Sequence, residues 1–460
     1  MTMNITRRAL LAIAAAFLSA CASGPSLQDA PPIVFMHGHG DQAALWQSTM
    51  WRFESNGWPR ERLHAVDMPY PLARDDDAKE QAGRTSTAEA MAHLKSEVEK
   101  VMARTGASKV VLYGNSRGGA VIRNYVQNGG GDRTVSHAIL GGTPNHGPWA
   151  VHIDGLPDTS EFAGHGPFLT ALNKPKNAAG DEVTGPVKWM TIRSDSNDKF
   201  AQPDGLWLGK RGVATGITAE GPALKGATNV VIPRIDHRET SYSAAAFAAA
   251  YRFITGRAPQ TTDIVPEARV VLSGRITGLG VSSTEPTSGN FGNNLPVAGA
   301  KLDVYAIDAV TGGRRGAAVY SKVVGADSAW GPMEAQRDAR YEFSVAAPGY
   351  ATLHVYRSPF PRSSDIVNVR LRRIADADKN APAIVIMARP RGYLDPGRDK
   401  MAFDGITPPP GAVLGAGVDS STIKPTGLPR AVVAEFNGEL VVGRSWPASE
   451  NQLTVLELSY

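Results

Sequence analysis

The hydrophobic pattern of this sequence changes its period near Pro259, and that change divides the chain between two kinds of architecture. Up to residue 258, short apolar runs alternate with amphipathic ones. Ile33-Val34-Phe35-Met36, Val110-Val111-Leu112-Tyr113, Ala138-Ile139-Leu140, Trp189-Met190-Thr191-Ile192 and Val230-Val231-Ile232 read as strands. Between them, residues 88–104 place Met91, Leu94, Val98, Val101 and Met102 three and four apart, as one helix face requires. Residues 118–127 read as a second helix, and 243–254 as a closing one stopped at Gly256. Strands alternating with helices predict a parallel sheet covered on both faces. Beyond Pro259 helical periodicity is almost gone. Residues 269–276, 301–307, 341–345, 353–356 and 366–371 are short strands between Gly, Pro, Ser and Asn, which predicts an antiparallel β-sandwich. The expected fold class is therefore α/β over residues 31–258, then all-β. The latter divides into a sandwich at 266–374 and, past a linker at 376–382, a separate small β domain at 383–460.

The chemistry concentrates in the first half. Gly114-Asn115-Ser116-Arg117-Gly118 follows an apolar strand and opens a helix. In that context Gly-x-Ser-x-Gly is a sharp strand-to-helix turn with a strained serine lifted above the strand ends. A bare hydroxyl is a weak nucleophile, so the site must also supply a base and a group that orients the base. In chain order these should follow as an acid and then a histidine, each after a later strand. His237, in Ile235-Asp236-His237-Arg238, is the one histidine between the acid loop and residue 258. The acid loop holds three carboxylates, Asp195, Asp198 and Asp204, any of which suits the order. Two backbone N–H groups, those of Arg117 and His39 (Gly40 in reserve), are the candidate donors to an oxyanion. His37 and His39 stand two apart with no cysteine or acidic partner set nearby, so no metal site is expected.

Met36-His37-Gly38, Gly114-Asn115-Ser116-Arg117-Gly118-Gly119, Leu140-Gly141-Gly142-Thr143-Pro144-Asn145-His146-Gly147 and Ile235-Asp236-His237 together resemble the bacterial class 2 triacylglycerol lipases and esterases of the α/β-hydrolase superfamily. Asp198 to Pro203 also matches the Asp-x-x-x-Gln-Pro acid loop of some fungal lipases, and this favours Asp198 as the acid. The resemblance implies a serine ester hydrolase with a Ser116, Asp198, His237 triad, an acyl-enzyme intermediate, and no cofactor or metal. Arg117 stands where an unbranched residue such as Met or Gln is more usual, which would put a charge beside the acyl site. In the second half, the run from Leu295 to Tyr305, with Tyr341-Glu342-Phe343 and Pro348-Gly349-Tyr350, resembles transthyretin-like or collagen-adhesin-B-type domains.

The first thirty residues carry an address. Arg7-Arg8, the apolar run 9–18 and Leu18-Ser19-Ala20-Cys21 follow the pattern of a signal peptide, 1–20, and are too short to span a bilayer. Leu-Ser-Ala-Cys resembles a bacterial lipobox, which implies acylation of Cys21, a linker over 21–30 and a membrane-anchored lipoprotein on the periplasmic or cell-surface face. Thr6 to Leu11 resembles a twin-arginine signal, leaving that route and Sec export both open. Cys21 is also the chain's single cysteine, so an intramolecular disulfide is impossible. With 48 basic against 44 acidic residues, no field for nucleic acid is expected.

These observations lead to a monomeric, exported ester hydrolase acting on short- or medium-chain esters. A polyester depolymerase and an inactive surface-binding lipoprotein are the alternatives.

Overall fold

The computed structural model describes residues 27–195, 197–282 and 289–459. The signal peptide, the lipobox and Cys21 lie outside the described residues. Among these, no helix is long and apolar enough to cross a membrane.

The first half is built from β1 (Ile33–Met36), α1 (Gln47–Ser55), β2 (Leu63–Val66), α2 (Thr87–Thr105), β3 (Val110–Asn115), α3 (Arg117–Asn128), β4 (Val135–Gly141), α4 (Pro167–Leu172), β5 (Lys188–Ser194), β6 (Thr228–Ile232), α5 (Glu239–Tyr242) and α6 (Ala244–Thr255). Its six strands form one parallel sheet in the order β2-β1-β3-β4-β5-β6. The two-residue period of a strand sends alternate side chains to opposite faces. Val34, Met36, Leu112 and Leu140 meet Leu94, Val98 and Val101 of α2 and Ile122 and Tyr125 of α3 on one face. Ile33, Phe35, Tyr113 and Ile192 meet Phe53 of α1 and Phe247 and Tyr251 of α6 on the other. Helix α2 starts at a capping box, in which the Ser86 hydroxyl accepts from the Glu89 amide and the Glu89 carboxylate from the Ser86 amide. It ends at Gly106 with φ 67°.

The second half holds β7 (Val270–Gly278), β8 (Lys301–Ala306), β9 (Tyr320–Val323), β10 (Ala329–Ala335), β11 (Tyr341–Ala346), β12 (Thr352–Arg357), β13 (Val369–Leu371), β14 (Val385–Ala388), β15 (Met401–Phe403), β16 (Ser420–Ile423), β17 (Ala431–Phe436), β18 (Glu439–Arg444) and β19 (Gln452–Glu457). A seven-stranded sheet, β16-β14-β19-β12-β11-β8-β9, forms its centre. Sheet β10-β7-β13 covers one face, with Leu272 and Trp330 against Phe343, Val355 and Val455. Sheet β15-β17-β18 covers the other, with Phe403 and Phe436 against Tyr356 and Leu456.

This arrangement corrects the division at residues 376–382. The segment 383–460 is not a separate β domain: β14 and β19 lie in the same sheet as β12, and β19 pairs with β12 along its whole length, Thr352 to Arg357. Both pairings are parallel, as is β13 with β7, so the β half is mixed rather than purely antiparallel. The physical reason is burial on both faces. Leu353 and Val355 enter one core while Tyr356 enters the other, and neither segment alone has enough strands to cover both.

The two halves also meet through buried polar contacts. Trp51 of α1 donates to the Ser363 carbonyl at 2.8 Å, and Asn294 donates to the carbonyls of Asp41 and Met68 at 2.9 Å each.

Candidate active site

Ser116 occupies the joint of β3 and α3 with φ 53° and ψ −124°, a conformation that costs a non-glycine residue free energy. The neighbouring glycines make the turn possible. A Cβ on Gly114 would fall 2.7 Å from the backbone of Gly118 and Gly119. One on Gly118 would strike the Met36 carbonyl, and one on Gly119 the Thr143 side chain. The Ser116 amide donates to the Gly141 carbonyl at 2.8 Å, fixing the apex against β4.

His237 comes from the turn after β6. Its Nδ1 lies 2.9 and 3.0 Å from the two carboxylate oxygens of Asp198, from the turn after β5. Both residues are buried, at 3% and 4% exposure. A carboxylate can only accept, so Nδ1 carries a proton, and in the neutral imidazole Nε2 is the acceptor. That Nε2 is buried and has no hydrogen-bond partner among the described residues. His237 and Ser116 line one cavity of about 140 Å³. The Phe200 ring stands edge-on to the imidazole with centroids 4.4 Å apart, and the Phe200 amide donates to Asp198 Oδ1 at 2.9 Å.

The other two carboxylates of the acid loop hold turns. Asp195 accepts the amides of Asn197 at 3.1 Å and Arg234 at 2.9 Å, and Asp204 accepts that of Leu206 at 3.2 Å.

The amides of Arg117 and His39 have no protein acceptor among the described residues, whereas the Gly40 amide donates to the Pro71 carbonyl at 3.2 Å. A Cβ on Gly38 would meet Ser116 Cβ at 2.9 Å, which shows how closely this loop approaches the serine. The His37 and His39 rings are architectural. His37 Nδ1 donates to the Gly38 carbonyl and its Nε2 accepts from the Met68 amide; His39 Nδ1 accepts from the Ala73 amide.

Arg117 does not put its charge beside the acyl site. Its guanidinium turns away into a buried bidentate pair with Glu161, at 2.7 and 2.9 Å, and donates to the carbonyls of Pro71 and Thr85. The cavity wall is mostly apolar, with Pro144, Pro148, Phe162, Phe200 and Leu208, and the charges that do line it are the paired Asp41 and Arg238. The loop carrying Phe162 is tied by His152 and His165, both bonded to Asp158 at 2.8 and 2.7 Å. These three are the one group among the described residues that brings metal-capable atoms together, and the hydrogen bonds to Asp158 account for them.

Three residues of the site come from a segment that the sequence pattern marks only as β. Tyr393 lines the cavity. Arg389 Nη1 donates to Asp236 at 2.7 Å and its Nη2 to Glu239 at 2.7 Å and to the Tyr242 hydroxyl at 2.7 Å. Arg398 donates to Glu239 at 2.5 Å, and the Tyr393 amide to Asp236 at 2.8 Å. Burial alone would raise the Asp236 carboxyl; Arg389 and Arg398 outweigh it and hold the group below the ordinary carboxylate range. Asp236 in turn accepts the amides of Arg238 and Glu239 at 2.9 Å each, shaping the turn that presents His237. The density of arginine in Arg389-Pro390-Arg391-Gly392-Tyr393 is the only sequence signal of this role.

Residues 30–144 match the family model described as Lipase (class 2), and residues 268–374 match that described as Lipase C-terminal domain. Solved structures similar to about half the chain include lipase B of Aspergillus fumigatus (16% identity, 52% of this chain and 55% of that one, TM-score 0.35). Others are the mature lipase BlEst2 of Bacillus licheniformis (20%, 50% and 94%, 0.35) and the carboxylesterase CesB of Bacillus subtilis (16%, 50% and 85%, 0.29).

Proposed function

We propose that this carboxylic ester hydrolase, an α/β-hydrolase unit with a class 2 lipase segment and a lipase C-terminal domain, works through Ser116, His237 and Asp198 on esters of short or medium acyl chain. The observation that supports the triad is the Asp198–His237 bond, which leaves Nε2 unpaired on the cavity that Ser116 also lines. In the reaction, Ser116 Oγ attacks the ester carbonyl as His237 Nε2 takes its proton. Asp198 holds the imidazole in the needed tautomer and stabilises the imidazolium. The amides of Arg117 and His39 donate to the oxyanion, which they bind more strongly than the neutral carbonyl. Collapse expels the alcohol, protonated by His237, and leaves an acyl-Ser116. Water then attacks this acyl group, with His237 as base, and releases the acid.

The chain-length reading is supported by the cavity. Its apolar wall suits an alkyl chain, but about 140 Å³ is well below the volume of sites that enclose drug-sized ligands. Anchoring through an acylated Cys21 on an exported protein is part of the same proposal.

An active-site-directed fluorophosphonate, with a p-nitrophenyl ester series from acetate to palmitate, tests the reading. Labelling of the wild type that disappears in Ser116→Ala is expected, with butyrate or hexanoate preferred. Labelling that survives in Ser116→Ala overturns the nucleophile, and a preference for palmitate overturns the acyl length. Radiolabelled palmitate incorporation that is lost in Cys21→Ser is the expected result for the anchor.

A further inference from the structure

A second cavity, of about 170 Å³, lies between the α/β unit and the β half, and Asp41 and Arg238 line both it and the cavity at Ser116. Four guanidiniums face it, those of Arg238, Arg357, Arg370 and Arg372, against the carboxylates of Asp41, Asp419 and Glu457. Three of the arginines are committed. Arg238 bonds Asp41 at 3.0 Å and Asp419 at 2.9 Å. Arg357 bonds Glu457 at 2.9 Å and the Asn368 carbonyl at 2.7 Å. Arg370 donates to the carbonyls of Gly40 and Asp41 and to the Asn294 side chain.

Arg372, just past β13, has no side-chain hydrogen bond or ion pair among the described residues. The carboxylates nearest in charge to it, Asp419 and Glu457, already bond Arg238 and Arg357. Burial draws its pKa down, yet a guanidinium keeps its proton in a protein. Arg372 is half-buried and reaches the cavity without a carboxylate of its own. The cavity therefore has a surplus of one positive charge, four guanidiniums against three carboxylates, which one small anion would balance. Beside them the lining is aliphatic, with Leu353, Val355, Val369 and Val455. That pairing of cation and alkyl surface fits an organic carboxylate better than a bare inorganic anion.

We propose that this cavity is a carboxylate subsite, in which Arg372 receives the ionised end of an ester substrate that also carries a free acid, such as a monoester of a dicarboxylic acid or an acid-terminated oligoester. The inference rests on the ester hydrolase reading above and names its substrate class.

The test compares monoethyl adipate, diethyl adipate and p-nitrophenyl butyrate on the wild type, Arg372→Met and Arg372→Lys. Arg372→Met is expected to lower kcat/KM for the monoester about tenfold or more, through KM, as the loss of a charge-assisted hydrogen bond predicts. The two neutral esters should stay within about twofold on the same estimate, and Arg372→Lys should recover part of the loss. An equal loss on all three substrates overturns the proposal, because it marks a structural role. Calorimetry on Ser116→Ala adds a readout independent of turnover. Binding of monoethyl adipate that Arg372→Met abolishes is expected. Binding of phosphate with none of the monoester overturns the subsite in favour of a free-anion site. Failure of the wild type to hydrolyse any neutral ester sinks the enzymatic reading instead, and the calorimetric arm still decides whether the cavity takes a carboxylate.

Discussion

Arg389 Nη1 lies 2.7 Å from Asp236 Oδ2, so a side chain 153 positions further along the sequence holds the residue next to His237. Asp236 is fully buried and Arg389 nearly so, at 0% and 3% exposure. Removing one partner of such a pair leaves an uncompensated charge in a low dielectric. The β half is in this way a component of the turn that carries the proposed base.

Arg389→Met should therefore lower kcat by well over tenfold while the protein remains folded, since Asp236 would lose a partner and the 236–239 turn would relax. The folded state is expected to lose roughly 3–5 kcal/mol, the usual result of breaking a buried pair. Steady-state kinetics and urea unfolding on the same preparation check this; unchanged kcat would remove Arg389 from the support of His237.

Asp198→Asn keeps the shape of the acid but cannot hold the Nδ1–H tautomer. A fall in kcat of roughly 10³–10⁴-fold with little change in KM is expected by analogy with other triads. Asp195→Asn and Asp204→Asn, which alter turn-holding carboxylates, should each stay within about tenfold of the wild type on the same scale.

Arg117→Met is expected to destabilise the protein by about 3–5 kcal/mol, because Glu161 would be left as a buried, unpaired carboxylate. The double variant Arg117→Met, Glu161→Leu should recover most of that loss. Chain-length preference should not change in either, since the guanidinium faces away from the cavity. Chemical denaturation and the ester series supply the measurements.

Lys199 gives a pH signature. Its ammonium donates to the Gly417 carbonyl and lies over the rings of Tyr393 and Phe200. Burial first, then Arg238, lower its pKa from 10.5 to about 8, against weaker attraction from Asp419, Asp198 and Asp236. Between about pH 8 and 10.5 the unfolded chain thus binds more protons at this position than the folded one, so this group adds stability as pH rises through that window. Lys199→Met should flatten that part of the stability profile. An unaltered slope between wild type and variant would show that the side chain is not desolvated as described.

The parts of this molecule legible in its sequence are those set by local rules. The Ser116 turn is written in three glycines whose Cβ atoms would collide with Met36, Gly118 and Thr143, and α2 in a capping box and a three-four spacing. His237 and a loop of three candidate acids follow from strand order, each just past the end of a parallel strand. The choice of Asp198 among Asp195, Asp198 and Asp204 rests instead on the resemblance of Asp198 to Pro203 to a fungal lipase loop. Long-range pairing is what the pattern cannot carry. Nothing in Gln452 to Glu457 says that it lies between β12 and β14, and nothing local in Tyr393 says that it lines a cavity with Ser116. The side-chain direction of Arg117 was equally hidden, because Glu161, its partner, belongs to an irregular loop 44 residues away.

The place of β19 in the seven-stranded sheet has a temporal meaning. A chain leaving the ribosome can close the parallel sheet of its first half early, since those strands pair with near neighbours. The seven-stranded sheet, which needs β19 between β12 and β14, and the Tyr393 wall of the cavity that follows β14 wait until residues 452–457 have emerged. Pairing over such separations is slow to form. The wall that Tyr393 adds beside Ser116 is thereby completed after the parallel sheet, a delay between folding the Ser116 turn and closing the cavity around it.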